Sequence, residues 1–333
     1  MVTTWRPASS EEAKDGHARM REPNYMSTLL PPSVRALERG WLNCNQVLLF
    51  EAGENILIDS GYCTHREETL ALLAGPVGLD GAPLERLINT HCHSDHMGGN
   101  AAVAHAYGCS ITVPEGEVKH IVPWTPQSAW MEQFDQRADP FFHDDTLAAG
   151  DFFEGGGFEW EVHAAPGHDM DALMFFEPRN RILVSGDALW EKAMGFVWPE
   201  EGANPCIEAA FETLSAIEAL DPAVVIPGHG AVFAGARGAI ETVRSKLEAF
   251  SEDPRKNARH VVKVMFVFAL LDRGTMNVDD VPGYLARVGA HRELNERFLR
   301  LEPRAFADWL LADLARAGAV HIDGGVVRAT SKA

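Results

Sequence analysis

Three histidines and one aspartate crowd into six residues at His91-Cys92-His93-Ser94-Asp95-His96, directly behind Leu84 to Ile88, which reads as a buried strand. No other feature limits the possible folds so sharply, because so many ligating groups at a strand end need a scaffold that brings them a partner. His91 and His93 are two residues apart, so in an extended segment their imidazoles point to the same side. Asp95 and His96 follow too closely to share that direction unless the chain turns. The arrangement suits two adjacent metal ions, one held by His91 and His93, the other by Asp95 and His96. Imidazole with carboxylate favours zinc, with iron or manganese as alternatives. Alternation turns Cys92 away from its neighbours, so it is not read as a ligand.

Four further motifs each sit beside an apolar run. They are Asn55-Ile56-Leu57-Ile58-Asp59-Ser60-Gly61, Ala165-Pro166-Gly167-His168, Ser185-Gly186-Asp187 and Ile226-Pro227-Gly228-His229-Gly230. Any one alone is an ordinary turn, since turns favour Gly, Pro and Asp. Together with the histidine cluster, and in this order, they resemble the signature of the metallo-β-lactamase superfamily over roughly residues 40 to 250. The resemblance implies a four-layer αββα sandwich, an α+β fold with the metals at one edge of its two sheets. It implies that His91, His93 and His168 hold one ion, that Asp95, His96 and His229 hold the other, and that Asp187 bridges them. Asp59 would orient a ligand histidine from behind. The cofactors implied are two Zn2+ ions.

The same resemblance implies a hydrolase that uses a metal-bridging hydroxide on a small ester, thioester or lactone, with Asp95 and Asp187 in catalytic positions. Two other readings stay open at this point. Thr90-His91-Cys92-His93 also resembles a persulfide-dioxygenase-like branch with one iron, and a metal-dependent nuclease would use the same centre. Asp187 stands where common zinc β-lactamases carry cysteine, which argues against antibiotic hydrolysis. A glyoxalase II proper would carry a Lys-, Arg- and Tyr-rich helical clamp for glutathione, and none can be matched here.

Charge bears on partners. Residues 1 to 235 hold 13 Lys and Arg against 35 Asp and Glu, while residues 236 to 333 hold 16 against 13. The acidic catalytic part argues against nucleic acid as a partner and for a small-molecule substrate. The five scattered cysteines do not read as a disulfide framework, which favours a cytoplasmic location. Met1 to Tyr25 has no apolar core of a signal peptide. The most apolar run, Val261 to Leu271, is interrupted by Lys263 and is shorter than the roughly 18 residues of a membrane span.

Along the chain, short strands alternate with helices, as in sheets flanked by helices. Gln46 to Phe50 and Asn55 to Asp59 form an expected hairpin, and Ala101 to Tyr107 and Ile207 to Leu220 expected helices. Pro114 to Asp145 is rich in large side chains, among them Trp124, Trp130, Phe134 and Phe141. It reads either as a buried helix pair or as a cap insertion over the metal edge. After about residue 250 the pattern becomes helical, and Asp323-Gly324-Gly325 signals a closing hairpin. Two domains follow, 1–250 catalytic and 251–333 winged-helix-like. The second resembles the C-terminal extension of a β-lactamase-like branch related to glyoxalase II, and its expected use is scaffold or homodimer contact.

Overall fold

The computed structural model describes residues 29–330. The expectation about Met1 to Tyr25 lies outside the described residues. The first sheet runs in chain order, β1 (Val34–Leu37), β2 (Gln46–Leu49), β3 (Ile56–Ile58), β4 (Arg86–Ile88), β5 (Ser110–Pro114) and β6 (Asp145–Leu147). Pairing is antiparallel from β1 to β3 and parallel from β3 to β6. The second contains β7 (Phe152–Gly155), β8 (Phe158–Ala164), β9 (Leu173–Glu177), β10 (Ile182–Gly186), β11 (Val224–Pro227) and β12 (Phe233–Ala234), again as neighbours in chain order. Only β10 and β11 pair in parallel there, joined through the helix Pro205–Leu220. Asn204 caps that helix, its side chain accepting the Cys206 and Ile207 N–H groups, and Pro205 pre-sets the first turn.

Strand periodicity builds the layers. In β3, Ile56 and Ile58 face the opposite sheet while Leu57 faces outward. In β10, Ile182 and Val184 face inward and Leu183 outward. The inner core joins these residues to Val47, Ile88, Trp160, Phe175 and Ile226, all fully or almost fully buried. Two outer cores receive the helices: Leu73 and Val103 on the first sheet, Ile207, Leu214, Ile240 and Val243 on the second. Each such side chain contributes about 1.5–3 kcal/mol by leaving water. Strands buried on both faces explain why the sequence reads as continuous apolar runs. The expected four-layer αββα sandwich is the observed fold.

Pro114 to Asp145 forms no helix pair. Its longest helices are the single turns Val118–Ile121 and Met131–Phe134. Trp124 and Phe141 pack edge to face on the outer core of the first sheet, which the prolines and turns of this segment allow without regular structure.

The C-terminal region holds the helices Pro254–Arg273, Val281–Arg287, Gly289–Leu294 and Pro303–Ala317. A short strand, β13 (Met276–Asn277), precedes the expected hairpin of β14 (Val320–Asp323) and β15 (Val326–Ala329), and it pairs with β15. This region is not set apart: Phe134, Phe196 and Trp198 of the sandwich pack against its core. The long helix has two apolar faces. Val261, Val262, Met265 and Phe266 enter the C-terminal core, whereas Phe268 and Leu271 pack against Leu42, Tyr62 and Cys63 of the sandwich. No helix among the described residues is long and apolar enough to cross a membrane.

One buried group in this region has a measurable cost. His291 is fully buried, and neither ring nitrogen has a hydrogen-bond partner among the described residues. Burial pushes its pKa down to about 3, so the folded ring stays neutral while the unfolded ring protonates below about 6.5. Stability from a neutral histidine is fully present above the unfolded pKa and is lost as pH falls towards the folded one. At pH 5 the loss from His291 is about 2 kcal/mol. His291→Phe keeps an aromatic ring at the position and removes both unsatisfied nitrogens. Its melting temperature should match or exceed that of wild type at pH 7 and fall less steeply between pH 6.5 and 4. An unchanged slope by calorimetry would show that His291 is paired or solvated.

Candidate metal centre

All five motifs end at one edge of the sandwich. Asp59 follows β3, and the histidine cluster follows β4. His168 follows β8, Asp187 follows β10, and His229 follows β11. The first sheet therefore supplies His91, His93, Asp95 and His96, and the second supplies His168, Asp187 and His229. The chain turns between the two halves of the cluster, as the spacing requires: His93 is extended, and Ser94–Met97 forms one helical turn.

The structure gathers these side chains into two groups, His91 with His93 and His168, and Asp95 with His96, Asp187 and His229. Within each group the candidate ligand atoms lie within 4.8 Å of one another. Asp187 stands between them. Its Oδ1 lies 3.3 Å from His96 Nε2 and its Oδ2 lies 3.4 Å from His168 Nε2, one oxygen towards each group.

Hydrogen bonds behind the rings settle which nitrogen faces the centre. His168 Nδ1–H donates to the Phe196 carbonyl at 2.6 Å, leaving Nε2 as the inward lone pair. His96 Nδ1–H donates to Asp59 Oδ2 at 2.8 Å, and its buried Nε2 has no hydrogen-bond partner. Thr90 Oγ1 lies 3.1 Å from His91 Nδ1 and itself donates to Asp59 Oδ2 at 2.8 Å, so the buried His91 Nε2 also points inward unpartnered. His93 turns Nδ1 towards His168, 2.8 Å from its Nε2, and places its own Nε2 3.4 Å from Asp169. Orphaned inward nitrogens, with carboxylates beside them, fit divalent cations at bond lengths of about 2.0–2.2 Å.

The electrostatics of His91 and His93 agree, whereas His96, despite its burial, is held above the usual histidine range by Cys44, Asp187 and Asp59. Burial, with His96 and His93 nearby, holds His91 well below the usual histidine range, and burial with His168 brings His93 down to about 4. Both rings are neutral near pH 7, the form that ligates. Burial alone would raise the Asp187 carboxyl, but His96 and His229 bring it well below the usual range, leaving a carboxylate.

Asp59 supports rather than ligates, since both its oxygens are already engaged. Oδ1 accepts the Thr90 N–H at 2.9 Å, while Oδ2 takes Thr90 Oγ1 and His96. Its φ of +60° is rare for a non-glycine residue, and the surrounding bonds hold it there. A third grouping joins Cys44 to Asp59 and His96. It uses the rear Nδ1 of His96, which Asp59 already engages, and burial raises the Cys44 thiol to about 11. Cys92 packs into the outer core of the first sheet, as alternation requires.

Several contributors escaped the sequence. Trp41 stacks on His229 with ring centroids 5.3 Å apart, and Trp190 Nε1–H donates to Asp187 Oδ1 at 3.2 Å. Asp169 follows directly on a motif histidine, a signal that could have been read. Gly228 permits the close approach of two loops, because a Cβ there would collide with Asp187 Oδ1. Asp59 and Asp169 position ligands without joining them, so Asp59→Asn and Asp169→Asn should each lower metal affinity about 10- to 100-fold. Competitive chelator titration measures this; affinities equal to wild type in both variants would break the assignment of these supports.

Comparison with known proteins agrees with this architecture. The family model described as the metallo-beta-lactamase superfamily matches residues 39–229, more than half of the chain. The hydroxyacylglutathione hydrolase of Brucella anthropi is 29% identical over 155 residues, 46% of this chain and 48% of that protein. That of Brucella ovis is 27% identical over 155 residues, 46% of this chain and 49% of that one. The chain thus spans about half the length of the curated relatives it matches. Among solved structures, a beta-lactamase domain protein from Burkholderia ambifaria aligns with a TM-score of 0.55 at 21% identity, covering 90% of this chain and 92% of that one. A metallo-beta-lactamase family protein from Thermus thermophilus gives 0.52 at 20%, covering 90% and 99%. At these identities the structures speak for the fold alone. With the fold, the motif order and the family match in agreement, the chain belongs to the metallo-beta-lactamase superfamily.

Proposed function

We propose that the protein is a metal-dependent hydrolase with two divalent ions, acting on a small ester, thioester or lactone. The observation that carries this reading is the placement of Asp187, one oxygen towards each group of ligand atoms. Imidazole and carboxylate donors suit zinc, with iron or manganese as alternatives. His91, His93 and His168 would hold one ion and Asp95, His96 and His229 the other, with Asp187 shared. When bound, such a pair supplies Lewis acidity and lowers the pKa of a coordinated water to about 7.

The chain's own residues prepare that chemistry. The Phe196 carbonyl and the Asp59 carboxylate keep the Nδ1 protons of His168 and His96 on the outer side, so the Nε2 lone pairs of these two rings face the centre. Trp190 holds the Asp187 carboxylate by one oxygen, and Trp41 covers the outer face of His229. These contacts fix the ligands before substrate arrives, which is how a site stabilises developing negative charge without reorganising. The second ligand group is complete, which supports two ions over a mononuclear iron centre. Hydroxyacylglutathione hydrolase activity belongs to the curated relatives by name. For this chain, the acidic sandwich supports a small substrate over an oligonucleotide. The C-terminal helices and three-stranded sheet, in the order β13-β15-β14, support the winged-helix-like reading of residues 251–333.

Metal analysis by mass spectrometry, run beside a panel of thioesters, lactones and phosphodiesters, tests the proposal. The expected result is two ions per chain, faster turnover of a small thioester or lactone than of an oligonucleotide, and a rate rising with pH through about 7. Asp187→Ala should lose metal from both positions, and His96→Ala should lose most activity. Equal metal content in wild type and Asp187→Ala would refute the shared ligand. Cleavage of RNA with no turnover of any small ester would refute the substrate class.

A further inference from the structure

Above the ligands lies a cavity of about 390 Å³, within the usual range for small-molecule sites. Its floor contains His93, Asp95, His168, Asp187 and His229. Its opposite wall is the long C-terminal helix, which presents Val264, Val267, Phe268 and Leu271 to the cavity. Val264, Phe268 and Leu271 recur at helical spacing, forming an apolar stripe aimed at the metal edge. Val264 is 37% exposed, a large apolar side chain left uncovered where it faces the site. Met194 and Phe196 extend the apolar surface from the loop behind Asp187.

Charge is nearly absent beyond the ligands. Lys263 is the only Lys or Arg among the described residues lining the cavity, and it is bridged to Asp313 at 2.9 Å. His260 is stacked on Phe250, and burial lowers its pKa to about 4, so it brings no positive charge at neutral pH. A second cavity touches His93 and His168 on the other side of Phe134 and Phe196. It is mixed, with Trp130, Phe134, Met170 and Trp198 beside Lys119, Arg292, Asp169 and Asp171 in its walls. Of the two openings onto the ligands, the first carries far fewer charged groups beyond the ligands themselves.

We propose that this cavity seats an uncharged apolar acyl or aryl arm of the substrate against the Val264–Leu271 face of the C-terminal helix. The substrate class, resting on the hydrolase reading above, is then a medium-chain or aryl ester, thioester or lactone. The wall offers no free cation for a substrate arm bearing carboxylates. Residues 251–333 thereby become part of the substrate site, beyond the scaffold or dimer-contact use read from the sequence.

Uncharged ketones that cannot be hydrolysed test the cavity apart from turnover. Titration calorimetry of 2-octanone against 2-butanone compares four added methylenes, each worth up to about fourfold in affinity. Wild type should bind 2-octanone at least about tenfold more tightly. In Val264→Glu and Val264→Trp, chosen because a part-exposed position tolerates change, that ratio should fall severalfold while the melting temperature stays near wild type. Hydrolysis gives the second readout: the octanoyl to acetyl thioester ratio of kcat/KM should exceed about ten and drop in both variants. Equal binding of the two ketones by wild type overturns the proposal, as does a ratio unmoved in two folded variants. Tight 2-octanone binding without hydrolysis of any ester would sink the hydrolase reading and leave the apolar site standing.

Discussion

The metal centre depends on how the two sheets pack. Four of its seven candidate ligands come from the first sheet and three from the second, so the distances between them are set by the inner core. Sheets packed face to face sit about 10 Å apart. Only loops leaving the same edge can close that gap to a few ångströms. Ile58, Ile88, Val184 and Ile226, all from strands that end at this edge, are fully or almost fully buried between the sheets. Backbone bonds then fasten the loops across the gap. Leu173 N–H donates to the Thr90 carbonyl at 2.8 Å, and Asn45 N–H donates to the Gly228 carbonyl at 2.6 Å. Asn45 Nδ2 reaches the carbonyls of Pro227 and Gly230. A cavity in this core would loosen every ligand at once, because a packed interior transmits strain instead of absorbing it.

Much of this centre is legible in the sequence because its motifs are local. Each ligand lies at the end of one apolar run, so strand and ligand can be read in a single stretch of a few residues. Asp59 is legible as a support for the same reason, although nothing in its neighbours indicates that it reaches two histidines. Its hold on His91 runs through Thr90 Oγ1, a relay visible only in three dimensions. Trp41 lies far from His229 in sequence, and no local pattern marks it. The large side chains of Pro114 to Asp145 leave open a cap insertion or a regular buried helix pair. Prolines and isolated turns satisfy the same burial without one.

The long C-terminal helix shows where periodicity runs out. Val261, Val264, Met265, Phe268 and Leu271 all fit one helical stripe in the sequence, and a wide stripe reads as one core face. In the fold it splits, with Val261 and Met265 entering the C-terminal core and Val264, Phe268 and Leu271 turning to the sandwich and the metal edge. Sequence periodicity reports how much of a helix is apolar. It does not report how many surfaces share it.

The uneven charge of the chain resolves at this same junction. Basic side chains from the C-terminal region meet carboxylates of the sandwich: Arg273 and Arg287 reach Asp135, and Arg297 reaches Glu200 at 2.5 Å. In the opposite sense, Arg137 donates to Asp272 at 2.6 Å. Most of these cations are partly exposed, and pairs of that kind contribute about 0–1 kcal/mol each. The apolar contacts beside them are larger. Phe134, Phe196 and Trp198 from one side, and Phe268 and Leu271 from the other, are partly buried, and full burial of such a side chain is worth about 1.5–3 kcal/mol. Apolar burial therefore holds the region in place, while the ion pairs select its orientation through charge complementarity. That orientation decides which face of the long helix looks at the metal edge.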